Sequence, residues 1–130
     1  MLKILQIAPA YRLAITLVFV GVVIALSIAP GIARPGDSMF SWLVVNTATP
    51  IQKAMHVVVY ALLAMLWMWT LDSVESRAMR IALTLIACVG LGAMLEWHQT
   101  RVPGRFGTVA DVVLNVIGAI VGLVAALILL

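Results

Sequence analysis

The chain has 130 residues, of which 65% are hydrophobic and only 10% charged, and its mean hydropathy is +1.20. A soluble domain has about a quarter of its residues charged, so a water-facing globular fold is excluded and the chain reads as an integral membrane protein. The formal charge of +3 comes from eight Lys and Arg set one or two at a time at the ends of apolar runs, where headgroups and orientation account for them without nucleic acid as a partner.

At roughly 20 residues per span, the apolar content predicts an all-α, integral membrane four-helix bundle. It forms a single transmembrane domain over residues 1–130, with spans near 12–29, 51–71, 78–98 and 109–130. The N-terminal MLKILQIAPAYR carries Lys3 and Arg12 ahead of an apolar run over 13–29. A secretory signal has a similar outline, but its apolar region is about 7–15 residues long. The longer run reads as a retained first helix, ended by Pro30 and Gly31.

Residues 31–49 form the longest loop. Phe40, Trp42, Leu43, Val44 and Val45 make an apolar patch there, too short to span and suited to the interface. The second span has a start signal: Thr49 as cap, Pro50 in the first turn and Gln52 completing a capping box. Trp67 and Trp69 sit at its far end as belt residues. A polar turn, DSVESR, leads to the third span. Pro103 and Gly104 then break the chain before the fourth, which ends without a polar tail. Cys88 is the only cysteine and lies mid-span, where a thiol is packing rather than chemistry.

The polar residues of the spans fall on shared faces. At about 100° per residue, Lys53, His56 and Tyr60 line one side of the second span. Gly92, Glu96 and Gln99 share a face at the end of the third, and Asp111, Asn115, Gly118 and Gly122 share one on the fourth. Alternating helix direction brings these three faces to the same membrane face. Each residue alone has a structural reading. Asp111 completes a cap with Thr108, Asn115 is an interhelical hydrogen bond, and Gly118 and Gly122 form a GxxxG packing face. Together, ionisable groups at membrane depth point to function.

His56, Glu96 and Asp111 are the acid–base candidates, with Lys53, Tyr60, Gln99, Arg105 and Asn115 as ligand-binding residues. His56, Glu96 and Asp111 are also metal-ligand types. Lys53 and Arg105 beside them would repel a divalent ion, so no metal and no cofactor is expected. An anion held by Arg105, Arg101 and Lys53 at the N-terminus of the fourth span fits the charges better. The expected ligand is an anionic lipid or envelope precursor, within the lipid bilayer. A binding module ranks first, a membrane enzyme using His56 as base second, and a purely structural bundle third.

Glu96-x-x-Gln99, then Pro103-Gly104-Arg105, then Asp111, Asn115, Gly118 and Gly122 resemble the VanZ-like family of small membrane proteins. Lys53-x-x-His56-x-x-x-Tyr60 is similar to that family's upstream motif, and the resemblance covers a core of about residues 50–122. Two positions depart from the pattern: Gln52 stands where the family often has an acid, and His98 where an aliphatic residue is expected. The resemblance implies a multi-helix integral membrane protein whose biochemistry is poorly defined. The family's founding member is linked to low-level resistance to the glycopeptide antibiotic teicoplanin.

Lys3, Arg12, Arg77 and Arg80 lie on one side of four spans, and Arg34, Lys53, Arg101 and Arg105 on the other. With Lys53 and Arg105 assigned to a site, the excess of basic residues puts both termini in the cytoplasm of a multi-pass protein of the cell membrane. Single cysteines at Ser38 and Thr100, in a Cys88→Ala background, should therefore react with an impermeant thiol reagent added to intact cells. Labelling only after lysis would invert the orientation.

Overall fold

The computed structural model describes residues 6–29, 36, 38–102 and 104–130; the readings of Lys3, Pro30, Gly31, Arg34 and Pro103 fall outside them. Five α-helices follow in order: α1 (Pro9–Ile28), α2 (Met39–Asn46), α3 (Thr49–Thr70), α4 (Arg77–Gln99) and α5 (Val109–Leu129). No strand occurs among the described residues. The four long helices are apolar enough to cross a membrane, as the composition requires. Their outward faces carry Leu17, Val18, Ile86, Met94, Val121 and Ile128 exposed, a surface that suits lipid rather than water.

The fifth helix, α2, is the short apolar patch of the longest loop. Ser38 caps it by accepting a hydrogen bond from the Ser41 N–H. Its exposed Met39 and Trp42 flank a buried side made of Ser41 and Val44.

The start of α3 differs from the expected capping box. Its N-cap is Ala48, with no side-chain cap. Gln52 turns instead toward the preceding segment, where its Nε2 donates to the carbonyls of Val44 and Thr47 at 2.9 Å each. The amide thus ties α2 to α3, satisfying the orphan carbonyls at the end of α2 rather than the orphan N–H groups of α3. At the far end of α3, Trp69 is buried rather than facing the headgroups. The buried Arg12 guanidinium lies 5.5 Å from its ring centroid and donates to its carbonyl. Arg12 also reaches Asp72 at 3.4 Å, and Arg80 pairs with the same carboxylate at 2.9 Å. These groups clasp the start of α1 to the end of α3 and the start of α4.

In lipid no hydrophobic force drives helices together, so close approach depends on small residues. α5 packs most extensively on α3 and also on α4, while α1 packs on α3 and α4 and hardly touches α5. One face of α5 is buried throughout, and it changes character along its length. Asp111 and Asn115 come first, then Gly118, Ala119, Gly122 and Ala126. A β-carbon on Gly118 would strike the Val57 carbonyl, and one on Gly122 the Ala61 carbonyl. Beside this seam, Tyr60, Leu63, Ala64, Cys88 and Ala119 form the buried core. Cys88 is fully buried there, as its mid-span position implies.

Gly118→Ala and Gly122→Ala should each lower stability by about 1–3 kcal/mol, the usual cost of overpacking, read as thermal unfolding in detergent. Gly90, with nothing within 4 Å of an added β-carbon, is the control: Gly90→Ala should raise stability by up to about 1 kcal/mol.

Candidate functional site

The polar residues singled out from the sequence lie at the end of the bundle where α1 and α4 finish and α3 and α5 begin. Gln99, buried at the last position of α4, donates its Nε2 to the Ser27 carbonyl at 3.2 Å and so fixes the end of α1 beside it. His56 and Asn115 meet across the α3–α5 seam, with Nδ1 2.7 Å from Asn115 Oδ1. With the amide oxygen accepting, Nδ1 carries the proton and Nε2 presents its lone pair. Gly92 makes this arrangement possible from α4. A β-carbon there would stand 3.0 Å from Asn115 Nδ2 and 3.1 Å from the Tyr60 ring.

Glu96 is buried near the end of α4, and its Oε1 accepts the Thr108 backbone N–H at 2.9 Å. Thr108 is the N-cap of α5, and its own Oγ1 accepts from the Asp111 N–H at 3.2 Å. Only half of a reciprocal cap forms within α5, because the carboxylate serving Thr108 comes from the neighbouring helix. Asp111 is left to face α3. Its Oδ1 has no hydrogen bond but lies 3.5 Å from Lys53 Nζ. The pair is a long electrostatic contact rather than a hydrogen-bonded one, and half of the Lys53 side chain remains in contact with solvent.

The anion site expected at the N-terminus of α5 is therefore partly taken up. Thr108 and Asp111 N–H groups are both satisfied within the chain. Arg101 is set aside as well: its guanidinium stacks 4.2 Å from the Trp97 ring centroid on the exposed surface. His98 is exposed too.

Arg105 stands apart from the other cations. It is half-buried, yet among the described residues its side chain makes no hydrogen bond or ion pair within 4.0 Å. Burial pushes its guanidinium down from the ordinary value, and the nearby carboxylates of Glu96 and Asp111 pull it back up. An arginine keeps its charge at neutral pH in any protein setting, so the site holds a positive fork that no acceptor among the described residues hydrogen-bonds.

Two cavities adjoin at this point. One, of about 350 Å³, reaches from Val23 and Leu26 of α1 to His56, Tyr60, Glu96 and Asn115. The other, of about 310 Å³, is bounded by Lys53, Thr108 and Asp111. Arg105, His56 and Gln99 line both. All eight candidate residues thus line one or both cavities. Donor atoms of His56, Glu96 and Asp111 lie within 4.8 Å of one another, a donor set that suits a divalent ion. Lys53 already supplies a positive charge to Asp111, and Arg105 stands close enough to both acids to feel their charge.

Sequence reasoning missed Gly107. A β-carbon on it would strike the Glu96 carbonyl and come within 2.7 Å of Thr100 Cγ2, so only glycine lets the loop lie against the end of α4. Gly107 sits between Arg105 and the Thr108 cap, in a turn dense with other signals, and no helical periodicity marks it.

This architecture defines a multi-pass helical membrane protein with a polar site at one end. A family model described as VanZ/LLP1 matches residues 13–130, and the chain belongs to that family. The match takes in most of α1 as well as the 50–122 core. No curated protein and no solved structure matches.

Glu96→Gln retains an oxygen for the Thr108 N–H, whereas Glu96→Leu leaves that donor without a partner. The leucine variant should be less stable than the glutamine variant by about 1–2 kcal/mol, measured by thermal unfolding in detergent. Equal stability would mean that the Glu96–Thr108 bond does not hold the loop.

Proposed function

We propose that this protein resides in the cell membrane with both termini in the cytoplasm, and binds or modulates an anionic component of the cell envelope. The observation that carries the reading is Arg105. A half-buried guanidinium with no hydrogen bond or ion pair within 4.0 Å among the described residues is answered only by the more distant charges of Glu96 and Asp111, and it lines both cavities. Asp111 already stands against Lys53, and the Glu96 carboxyl already accepts the Thr108 N–H. The guanidinium is therefore the group left to meet an incoming anion. Its planar fork suits a phosphate or carboxylate bidentately.

A second reading, a membrane enzyme acting on a lipid or envelope precursor, is favoured by one geometry. The Asn115 contact leaves His56 Nε2 able to accept a proton, and the carboxyl groups of Glu96 and Asp111 lie close to the ring. His56 would then be the base and one carboxyl the acid. Because the family resemblance brings teicoplanin with it, teicoplanin susceptibility of cells expressing the protein is the cellular readout.

Arg105→Lys and Arg105→Ala separate these roles from a structural one. If Arg105 holds an anion through a fork, both variants should lose the cellular effect and the lipid co-purifying in native mass spectrometry, at unchanged expression and melting temperature. Retention of both by Arg105→Lys would reduce Arg105 to charge balance. Loss of the cellular effect with retained binding in His56→Gln would favour the enzyme.

A further inference from the structure

Resting on the anion reading of Arg105, we infer that the ligand is a lipid with an anionic phosphate headgroup. Its apolar chain occupies the larger cavity, between α1, α2, α3 and α4. The two cavities differ in chemistry but share a boundary. The larger is walled chiefly by apolar side chains, among them Val23, Leu26, Leu43, Val59 and Leu95. The smaller is walled by Lys53, Thr108 and Asp111. Arg105 lies where they meet.

A soluble anion would need the polar cavity alone, and a plain hydrocarbon would need no guanidinium. An amphiphile uses both, with headgroup and chain joined where the cavities join. Apolar walls offer water few hydrogen-bond partners, whereas hydrocarbon fits them without loss.

The position in the bundle supplies the route. Leu43, Ile51 and Met55 line the larger cavity and are also 39%, 56% and 46% exposed, so the cavity opens at the surface between α2 and α3. That surface is the lipid-facing side of an apolar bundle. A chain can enter from the bilayer there without crossing water. The headgroup meets Arg105 at the end of the helices, the depth at which phosphates of a bilayer lie.

Charge sets the headgroup. Lys53 and Asp111 form one opposite-charge pair, and Arg105 stands near Glu96, whose carboxyl accepts a neutral backbone N–H, so two cations face two acids. With the acids balancing the cations, a headgroup of one negative charge meets less repulsion from Glu96 and Asp111 than a polyanion would.

The test uses the whole chain purified in a neutral detergent. It compares affinity for long-chain phosphatidylglycerol, long-chain phosphatidylcholine and glycerophosphoglycerol, the chain-free phosphodiester with the same single negative charge. Phosphatidylglycerol should bind at least tenfold more tightly than either of the others, and Arg105→Gln should abolish its advantage over phosphatidylcholine. Leu26→Trp, which fills the apolar cavity, should weaken phosphatidylglycerol at least tenfold. Leu43→Trp, on the half-open wall, should act in the same direction and tolerates the larger ring. If the phosphatidylglycerol preference depends on Arg105 but glycerophosphoglycerol binds equally well, the site takes a free anion and the lipid inference is overturned. Unchanged affinity in both tryptophan variants overturns it too. No preference for phosphatidylglycerol, with Arg105→Gln without effect, overturns the anion reading beneath it.

Discussion

The hydrogen bond from the Thr108 backbone N–H to the Glu96 carboxylate is the contact on which the polar end of the bundle depends. It crosses from the end of α4 to the first residue of α5 and closes the turn between them. The bond is part-buried, joining a buried Glu96 to an exposed Thr108. Once the turn is closed, Gly107 lies against Glu96 and Arg105 is carried to the junction of the two cavities. Asp111, relieved of the capping duty its spacing from Thr108 would assign, is free to face Lys53. One bond between neighbouring spans thereby sorts four charged groups.

The stripe along α5 joins this end to the rest of the molecule. Its first residues are polar and reach α3 through Lys53 and His56; its later residues are small and let α3 approach backbone to side. The seam that holds the bundle and the site that gives it chemistry are one helix face. Geometry of the His56–Asn115 contact therefore depends on the close approach at Gly118 and Gly122. A change in the apolar half of the seam alters the polar half.

Much of this was legible in the sequence, because membrane helices expose their logic in two signals. Apolar runs of about 20 residues marked the four spans, and the i, i+3, i+4 spacing of polar residues put Glu96, Asp111 and Asn115 on inward faces. What escaped was decided by tertiary contacts. Gln52 has the spacing of a capping box, yet the free carbonyls of α2 compete for its amide and win. Trp69 looked like a headgroup anchor because aromatic belts are common, and Arg12 looked like an orientation signal. Each hides the other, since a guanidinium over an indole can be buried where neither alone would be. Arg105 lies near Glu96 and Asp111 without an ion pair to either among the described residues. Those acids find other partners first, a choice that spacing along the chain does not encode.

The clasp of Arg12, Trp69, Asp72 and Arg80 bears on how α1 can move. At that end α1 is gripped by several contacts, one of them ionic; at the other, among the described residues, one hydrogen bond from the Gln99 amide to the Ser27 carbonyl ties it to α4. Arg12 and Ser27 are about 22 Å apart along the helix axis. With one end fixed, α1 is a lever. A tilt of about 5° about Arg12 would carry Ser27 roughly 2 Å, more than one hydrogen bond can stretch. Val23 and Leu26, which wall the larger cavity, lie near that far end, so such a tilt would change the width of the cavity.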